Sequence, residues 1–316
     1  MMNEVSSDFF TIGSVEGSPD HKLFYRVYEP VNQKIFATIV IVHGMQEHSG
    51  RYHELANHFA DRGFTVLTYD QLGHGKTAIN RTELGYFQQI KPVEQLIQDA
   101  ITMSAVLQQR YPDQPHFILG HSMGSFVTRC VLQQAGERFK GAIIVGTGAR
   151  QKGSMLFRIL LGLLNSIAPK KRSKLINQLF DKQNNARFKD EVNQNNSNWL
   201  SVNKANRIAF IEDPLCGGLF TNNGFYTVLS LSLWATDRQR TKHIPKNLPL
   251  LFISGQDDPI GDFGTGVEQT VAQLRQQGQQ DINIKLYKGM RHEILNEDCK
   301  DDVFQLIDQW LEQHLI

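Results

Sequence analysis

Short runs of consecutive apolar residues recur along the chain and alternate with segments whose apolar residues are spaced as in a helix. Apolar runs bounded by glycine, proline and polar residues are typical of strands that are covered on both faces of a sheet. An opening antiparallel pair, joined by a turn-rich stretch at 16–21, precedes these runs. The predicted strands, eight in all, are 9–15, 22–30, 36–44, 64–70, 116–120, 141–147, 249–255 and 282–289.

Helical patterns fill the intervals between most of these strands. In the segment 93–111, for example, Leu96, Ile97 and Ala100 share one helical face. Alternating strands and helices favour a mostly parallel sheet with helices packed on both of its faces. The predicted fold class is therefore α/β.

The alternation stops between residues 150 and 246, where the pattern predicts no strand. An apolar amphipathic stretch at 155–168 is followed there by the basic cluster "PKKRSK". We interpret 150–246 as a helical cap that is inserted into a core formed by 1–149 and 247–316. The alternative is that these segments are simply further helices of the core.

Composition narrows the class of protein. The chain has 316 residues, of which 41% are hydrophobic, enough for one large α/β domain or for a domain with an insertion. Its 33 basic and 32 acidic residues nearly cancel, which excludes a general electrostatic preference for nucleic acid. The three cysteines are widely separated, and the sequence shows no signal-peptide pattern, which together favour a cytoplasmic protein. It also contains no apolar run of about 20 residues, so no spanning helix is expected.

The strand that ends at Gly120 leads into "GHSMG" and then into a helical pattern. A strand, the spacing G-x-S-x-G and a helix are together typical of a nucleophile elbow. Gly120 and Gly124 have no Cβ atom, so neighbouring backbone can approach the strained turn that raises Ser122 above the sheet. The Met123 N–H lies at the start of the helix, where it can stabilise an oxyanion. The alternative is an ordinary loop that enters a helix.

A serine hydroxyl needs a base, and in this arrangement an acid and a histidine follow the serine along the chain. Asp257, Asp258 and Asp262 follow the seventh strand, and His292 follows the last one. Since parallel strands share one carboxyl edge, these groups are expected at the same rim as Ser122. Asp258, directly before a proline, is favoured as the acid, with Asp257 as the alternative. A zinc site is not expected, because "HEILN" has asparagine where H-E-x-x-H has its second histidine.

A second oxyanion donor is expected from the loop that follows the third strand. The turn at His43 and Gly44 would present the Met45 N–H toward the serine. The alternative is an ordinary loop between a strand and a helix, in which Glu47 or Ser49 helps the helix to begin.

Five stretches together resemble one branch of the α/β-hydrolases, the monoacylglycerol lipases and lysophospholipases that are grouped with serine aminopeptidase-like enzymes. One departure from the family pattern is Leu72, which stands where arginine is frequent before "GHG". That departure concerns the support of a loop and not the catalytic group. The matching stretches, in order between Val42 and Glu297, are "HGMQEHSGRY", "YDQLGHGKT", "GHSMGS", "SGQDDPI" and "RHEILNE".

The resemblance implies an α/β-hydrolase fold with an eight-stranded, mostly parallel sheet and a helical cap. It also implies that Ser122 is the nucleophile, Asp258 the acid and His292 the base. The Met45 and Met123 amides would form the oxyanion hole, and this chemistry requires neither a metal nor an organic cofactor. The glycines that allow the elbow and the loop to form are Gly44, Gly120 and Gly124.

Hydrolysis of a carboxylic ester through an acyl-enzyme is the function that these observations favour. The expected substrate is a single-chain lipid ester, a monoacylglycerol or a lysophospholipid, with the cap making transient contact with a membrane surface. The alternatives are a small-ester carboxylesterase, an aminopeptidase whose Glu47 and Glu293 bind a free amine, and a non-catalytic binding protein on the same scaffold. No nucleic-acid partner is expected, and the oligomeric state is not predicted.

Overall fold

The computed structural model describes residues 4–13, 15, 20–188 and 196–315. At its centre is one sheet of eight strands, which confirms the predicted sheet; the turn predicted at 16–21 lies mostly outside the described residues. The strands are β1 (Glu4–Ile12), β2 (His21–Glu29), β3 (Ala37–Val42), β4 (Phe64–Tyr69), β5 (His116–His121), β6 (Gly141–Val145), β7 (Leu250–Gly255) and β8 (Ile282–Tyr287).

The pairing of the strands brings the carboxyl ends of the parallel strands to one edge. The order across the sheet is β1-β2-β4-β3-β5-β6-β7-β8. β1 pairs antiparallel with β2, and β2 pairs antiparallel with β4. From β4 through β3, β5, β6 and β7 to β8, all neighbouring strands run parallel. The loops after β3, β5, β7 and β8 therefore emerge at the same rim, although they are far apart in sequence.

Helices cover both faces of this sheet, as predicted. Successive strand residues point to opposite faces, so Val40 packs in one apolar cluster with Leu96, while Ile39 packs in another with Phe59 and Trp310. The helices are α1 (His53–Ala60), α2 (Pro92–Arg110), α3 (Met123–Ala135), α4 (Ser154–Ile167), α5 (Lys174–Asn184), α6 (Lys204–Glu212), α7 (Asn222–Ala235), α8 (Thr265–Gln276) and α9 (Lys300–Gln313).

The described part of 150–246 contains α4 to α7 and no strand. α7 packs against α3, and its Leu231 belongs to the same apolar cluster as sheet residues. Trp199, Phe210 and Cys216 belong to a small separate cluster. The segment thus combines a helix on the core with a part that packs by itself, and the cap boundaries remain a prediction. No described helix combines the length and the apolar character that crossing a bilayer requires.

Candidate active site

Ser122 stands on the tight connection between β5 and α3. Its backbone has φ 54° and ψ −119°, which is strained for a residue with a side chain. Backbone passes very close to the two flanking glycines. A Cβ atom on Gly120 would lie 2.3 Å from the Gly124 carbonyl oxygen, and one on Gly124 would lie 2.0 Å from the Val42 carbonyl oxygen. Both positions therefore need glycine, and the turn holds Ser122 above the carboxyl edge of β5.

A continuous chain of hydrogen bonds links Ser122, His292 and Asp258. His292 Nε2 lies 2.8 Å from Ser122 Oγ, and His292 Nδ1 lies 2.9 Å from Asp258 Oδ2. The fully buried Asp258 carboxylate also accepts hydrogen bonds from Ser254 Oγ (3.1 Å) and from the Ile260 N–H (2.8 Å). These donors hold the carboxylate in place. The carboxylate in turn keeps the proton on His292 Nδ1, which leaves Nε2 free to accept the serine proton.

The three aspartates that follow β7 have different surroundings. Asp258 is the one that contacts His292. Asp257 is partly exposed, and its backbone N–H donates to the Met290 carbonyl at 2.9 Å. Asp262 is exposed, and its carboxylate accepts a hydrogen bond from its near neighbour Thr265 at 3.0 Å. Asp257 and Asp262 are thus placed as ordinary loop residues.

The Gly44–Met45 peptide is held in one orientation by a buried histidine. His43 Nδ1 lies 2.8 Å from the Gly44 carbonyl oxygen, and His43 Nε2 lies 3.0 Å from the Gln71 N–H. Because the Gln71 amide can only donate, His43 carries its proton on Nδ1 and donates it to the Gly44 oxygen. Burial lowers the His43 pKa, despite the opposing charges of Glu47 and an aspartate, and keeps the ring neutral.

In a planar trans peptide the C=O and the N–H point in opposite directions. The Gly44 oxygen points toward His43, so the Met45 N–H points away from it. Met45 and Met123 both line the cavity that contains Ser122. Within the described ranges, neither of these two amides donates a hydrogen bond to a protein acceptor. Two unused donors beside a serine hydroxyl are what a developing oxyanion requires.

The cavity at Ser122 and His292 has a volume of about 130 Å³. Its walls include Trp199, whose ring lies over the His292 ring with 4.9 Å between centroids and an interplanar angle of 34°. The tryptophan shields the imidazole from water on one side. Trp199 is not recognisable as a site residue from sequence, because nothing in the polar segment around it indicates a contact with His292, which is 93 positions away.

A buried cluster of charged side chains lies beneath the loop that carries Met45. Arg51 forms ion pairs with both Glu47 and Glu293, through Nη1 to Glu47 Oε2 at 3.2 Å and through Nη2 to Glu293 Oε2 at 2.8 Å. Tyr52 Oη donates to Glu47 Oε1 at 2.7 Å, and the Gly44 N–H donates to the same oxygen at 2.6 Å. Glu47 thus ties the Met45 loop to the start of α1.

His121, next to the serine, completes this cluster. Its Nδ1 lies 3.1 Å from Glu47 Oε1, and its Nε2 lies 3.2 Å from the His292 carbonyl oxygen. Tyr52 Oη also lies 2.9 Å from Nδ1. Its hydroxyl proton goes to Glu47, so both ring nitrogens face oxygen acceptors, an arrangement that stabilises the protonated form of the ring. Burial opposes its charge, but the hydrogen bond and charge of Glu47 raise the His121 pKa overall. Burial likewise opposes the Glu47 charge, yet His121 and Arg51 lower the Glu47 pKa well below its usual range.

One group of potential metal ligands occurs in the described part of the chain, and it consists of His48, Asp213 and Cys216. The His48 Nδ1 accepts a hydrogen bond from the Gly50 N–H at 3.1 Å, so the ring proton is on Nε2. That Nε2–H donates to Asp213 Oδ2 at 2.8 Å. Neither ring nitrogen offers a free lone pair, and the contact is a hydrogen bond between the Met45 loop and the segment after α6.

The profile of the family described as serine aminopeptidase, S33, matches residues 33–299, most of the chain. The chain belongs to this family. Monoglyceride lipase from Mus musculus is 25% identical over 298 residues, which cover 93% of this chain and 88% of that protein. Phospholipase YtpA from Bacillus subtilis is 26% identical over 285 residues, which cover 88% of this chain and 96% of that one.

The solved structure of a highly thermostable carboxyl esterase from Bacillus coagulans has the same architecture. It aligns with a TM-score of 0.87 at 26% identity and covers 98% of this chain and 99% of its own. The family resemblance and the α/β-hydrolase fold predicted from sequence are thereby confirmed. The family and its lipase and esterase members support the assignment of this chain as an ester hydrolase.

Proposed function

We propose that this chain is a serine esterase that cleaves carboxylic esters through an acyl-enzyme, with Ser122 as nucleophile, His292 as base and Asp258 as the acid. The observation that carries the proposal is the unbroken hydrogen-bonded chain from Ser122 Oγ through His292 to Asp258, beside two unused amide donors. A serine hydroxyl becomes reactive only when such a base can take its proton.

In the first half of the reaction His292 Nε2 takes the Ser122 proton while the serine oxygen bonds to the ester carbonyl carbon. The Met45 and Met123 N–H groups stabilise the oxyanion, each by roughly 2.7–4 kcal/mol. His292 then gives the proton to the leaving alcohol, and the acyl group stays on the serine. In the second half, water gives a proton to His292 and attacks the acyl carbonyl carbon. The bond between the acyl carbon and the serine oxygen then breaks while His292 returns the proton to that oxygen, which releases the carboxylic acid and the free serine.

The aminopeptidase alternative requires a free carboxylate that binds the amino group of a peptide. The two glutamates that suggested it, Glu47 and Glu293, do lie close together, but both are ion-paired with the same Arg51. Both are also almost completely buried. Opening this cluster for a substrate amine would leave a buried guanidinium partly unpaired, which is costly. The geometry therefore favours an ester over a peptide.

A single-chain lipid ester, a monoacylglycerol or a lysophospholipid, is the substrate class we propose, with 150–246 acting as a helical cap. The names of the lipase and phospholipase relatives support this class. The walls next to Ser122 support it too, because Phe126, Phe180, Val228 and Ile260 offer apolar surface to an acyl chain.

The test is a substrate series with purified protein: a monoacylglycerol, a lysophosphatidylcholine, short p-nitrophenyl esters and aminoacyl arylamides. We expect turnover of acyl esters and none of arylamides. Hydrolysis of arylamides alone would overturn the proposal in favour of a peptidase. No turnover of any ester, together with no labelling by a fluorophosphonate, would point to a non-catalytic protein.

The outer face of α4 is the proposed contact with a lipid surface. Leu163 and Ile167 on this face are 60% and 82% exposed, and they belong to a row of exposed apolar side chains. Lys171 and Lys174, both exposed, follow directly. An apolar stripe with a basic edge fits a membrane with anionic headgroups. The apolar side chains insert into the interface, and the lysines attract the negative charge of the lipids. We propose transient peripheral binding of a cytoplasmic protein through this face.

Replacing Leu163 and Ile167 together by serine is expected to weaken binding to vesicles of phosphatidylcholine and phosphatidylglycerol by about tenfold or more, since apolar area is lost from the interface. Sedimentation with the vesicles measures it. Turnover of a short water-soluble ester should stay unchanged. Ile79→Ser is the matched control, because Ile79 is 87% exposed on a loop outside α4. Equal vesicle binding by all three proteins would contradict the assignment of this face.

A further inference from the structure

A second cavity, of about 420 Å³, adjoins the cavity at Ser122 and lies between α4, α5 and α7. The residues that line both cavities form a common wall, and all of them are apolar. This shared wall offers apolar surface to a hydrocarbon segment attached to an ester at Ser122. The shared residues are Met45, Phe126, Phe180, Val228 and Ile260.

The lining of the second cavity also includes polar residues, which the common wall lacks. Asn184 lines it and is 4% exposed, yet its Nδ2 amide has no hydrogen-bond acceptor among the described residues. The nearby hydroxyls of Ser232 and Thr236 donate to carbonyls of their own helix, at 2.9 Å and 2.7 Å. Asn184, a residue of the cavity lining, thus carries a side-chain N–H that no described protein group accepts.

Two basic residues also belong to the lining of the second cavity. Arg150 and Lys152 line it and are exposed, and neither is ion-paired within the described ranges. No aspartate or glutamate is found among the described residues that line the second cavity. The cavity at Ser122, in contrast, includes the half-buried Asp181 carboxylate in its wall. The charge distribution thus disfavours an anion beside Ser122 and favours one in the second cavity.

The helix α5 relates the two cavities to one another. Its residues Asn177 and Asp181 face the cavity at Ser122, Phe180 faces both, and Asn184 faces the second cavity. Asn184 is therefore about 6 Å along the helix from Phe180, at 1.5 Å per residue. A ligand that reaches Asn184 from Ser122 passes the apolar wall first. Its polar group must be separated from the reacting carbonyl by a stretch of hydrocarbon.

We propose that the second cavity binds an anionic oxygen group, a carboxylate or a phosphate, and that the preferred substrate is an anionic amphiphilic ester rather than a neutral one. The Asn184 amide donates to the anion, and Arg150 and Lys152 attract it. The inference rests on the proposed esterase function and specifies its substrate. The anion has two possible sources: the far end of the acyl chain, or a phosphate on the alcohol part.

Two matched substrate pairs distinguish these sources. The first is p-nitrophenyl octanoate against the p-nitrophenyl monoester of octanedioic acid, which differ only in a terminal carboxylate. The second is a monoacylglycerol against the lysophosphatidic acid with the same acyl chain. We expect kcat/KM to favour the anionic member by about tenfold in one pair, the usual effect of one charged hydrogen bond. The preference should shrink as salt is added, because the charges of Arg150 and Lys152 are screened.

Variants assign the preference to these residues. Asn184→Leu, Asn184→Asp and the double change Arg150→Gln with Lys152→Gln should each lower the anionic-to-neutral ratio of kcat/KM by about tenfold. Lys182→Gln is the control, because Lys182 is an exposed cation on α5 that does not line the cavity. Thermal melting by circular dichroism verifies that each variant folds.

Two results would overturn the inference: no anionic preference in either pair, or a preference that all of these variants retain. Failure of the proposed function looks different, since wild-type protein would then hydrolyse neither the neutral nor the anionic esters and would not react with a fluorophosphonate. Hydrolysis of the neutral esters without any preference for the anionic ones would contradict anion binding in the second cavity and leave the esterase function intact.

Discussion

Replacement of Ser122 by alanine is expected to lower turnover of a short p-nitrophenyl ester by several orders of magnitude. Without the hydroxyl no acyl-enzyme can form, and only the oxyanion donors and substrate positioning remain, which give about 10³–10⁴ over the reaction in water. Stopped-flow measurement of p-nitrophenol release, together with labelling by a fluorophosphonate, checks the result. The variant should not be labelled.

This loss can be assigned to chemistry because alanine preserves the turn. Alanine also has a Cβ atom, so the backbone at φ 54° stays as strained as before and the fold should be retained. Ser166→Ala, an exposed serine on the outer part of α4, serves as the control and should retain full activity. A drop of only a few fold in Ser122→Ala, or labelling equal to wild type, would mean that another residue is the nucleophile.

The change Asp258→Asn is expected to lower kcat by about 10⁴, whereas Asp257→Asn should change it by less than about threefold. The asparagine would present an amide N–H to His292 Nδ1, which forces the ring proton onto Nε2. With that tautomer Nε2 can no longer accept the serine proton, 2.8 Å away. Asp257, partly exposed and without contact to the imidazole, has no such role.

Steady-state kinetics of the two purified variants decide which of the neighbouring aspartates acts with His292. Melting curves verify that both variants fold. They are matched controls for one another, since both changes remove one negative charge from the same loop. Equal losses in the two variants would indicate a general electrostatic effect of the loop. A larger loss in Asp257→Asn would reverse the assignment of the acid.

Local patterns were sufficient to predict the elements of the fold. The runs that form β3 to β7 are buried on both faces, and such strands are recognisable because nearly all of their residues are apolar. The glycines around Ser122 could also be interpreted locally. A Cβ atom at either glycine would lie 2.0–2.3 Å from backbone, which leaves few choices of residue at these positions. Neither inference requires knowledge of distant parts of the chain.

Contacts between distant residues could not be predicted in this way. Arg51 contacts Glu293, which is 242 positions away. The sequence could not show that this arginine forms ion pairs with both glutamates that the aminopeptidase alternative requires. Trp199 lies over His292, although nothing in its own segment indicates a contact with a residue of the candidate site. The polar lining of the second cavity likewise arises from residues on three separate stretches.

The sequence by itself thus determined the order of strands and helices, the strained serine and the rim to which an acid and a histidine belong. These features follow from periodicity, from glycine sterics and from the common carboxyl edge of parallel strands. The sequence favoured Asp258 over Asp257 but left both open, and the tertiary structure shows that Asp258 is the one that contacts His292. It also decided which charges are already paired and which remain unused, since pairing depends on distances in space between residues far apart in the chain.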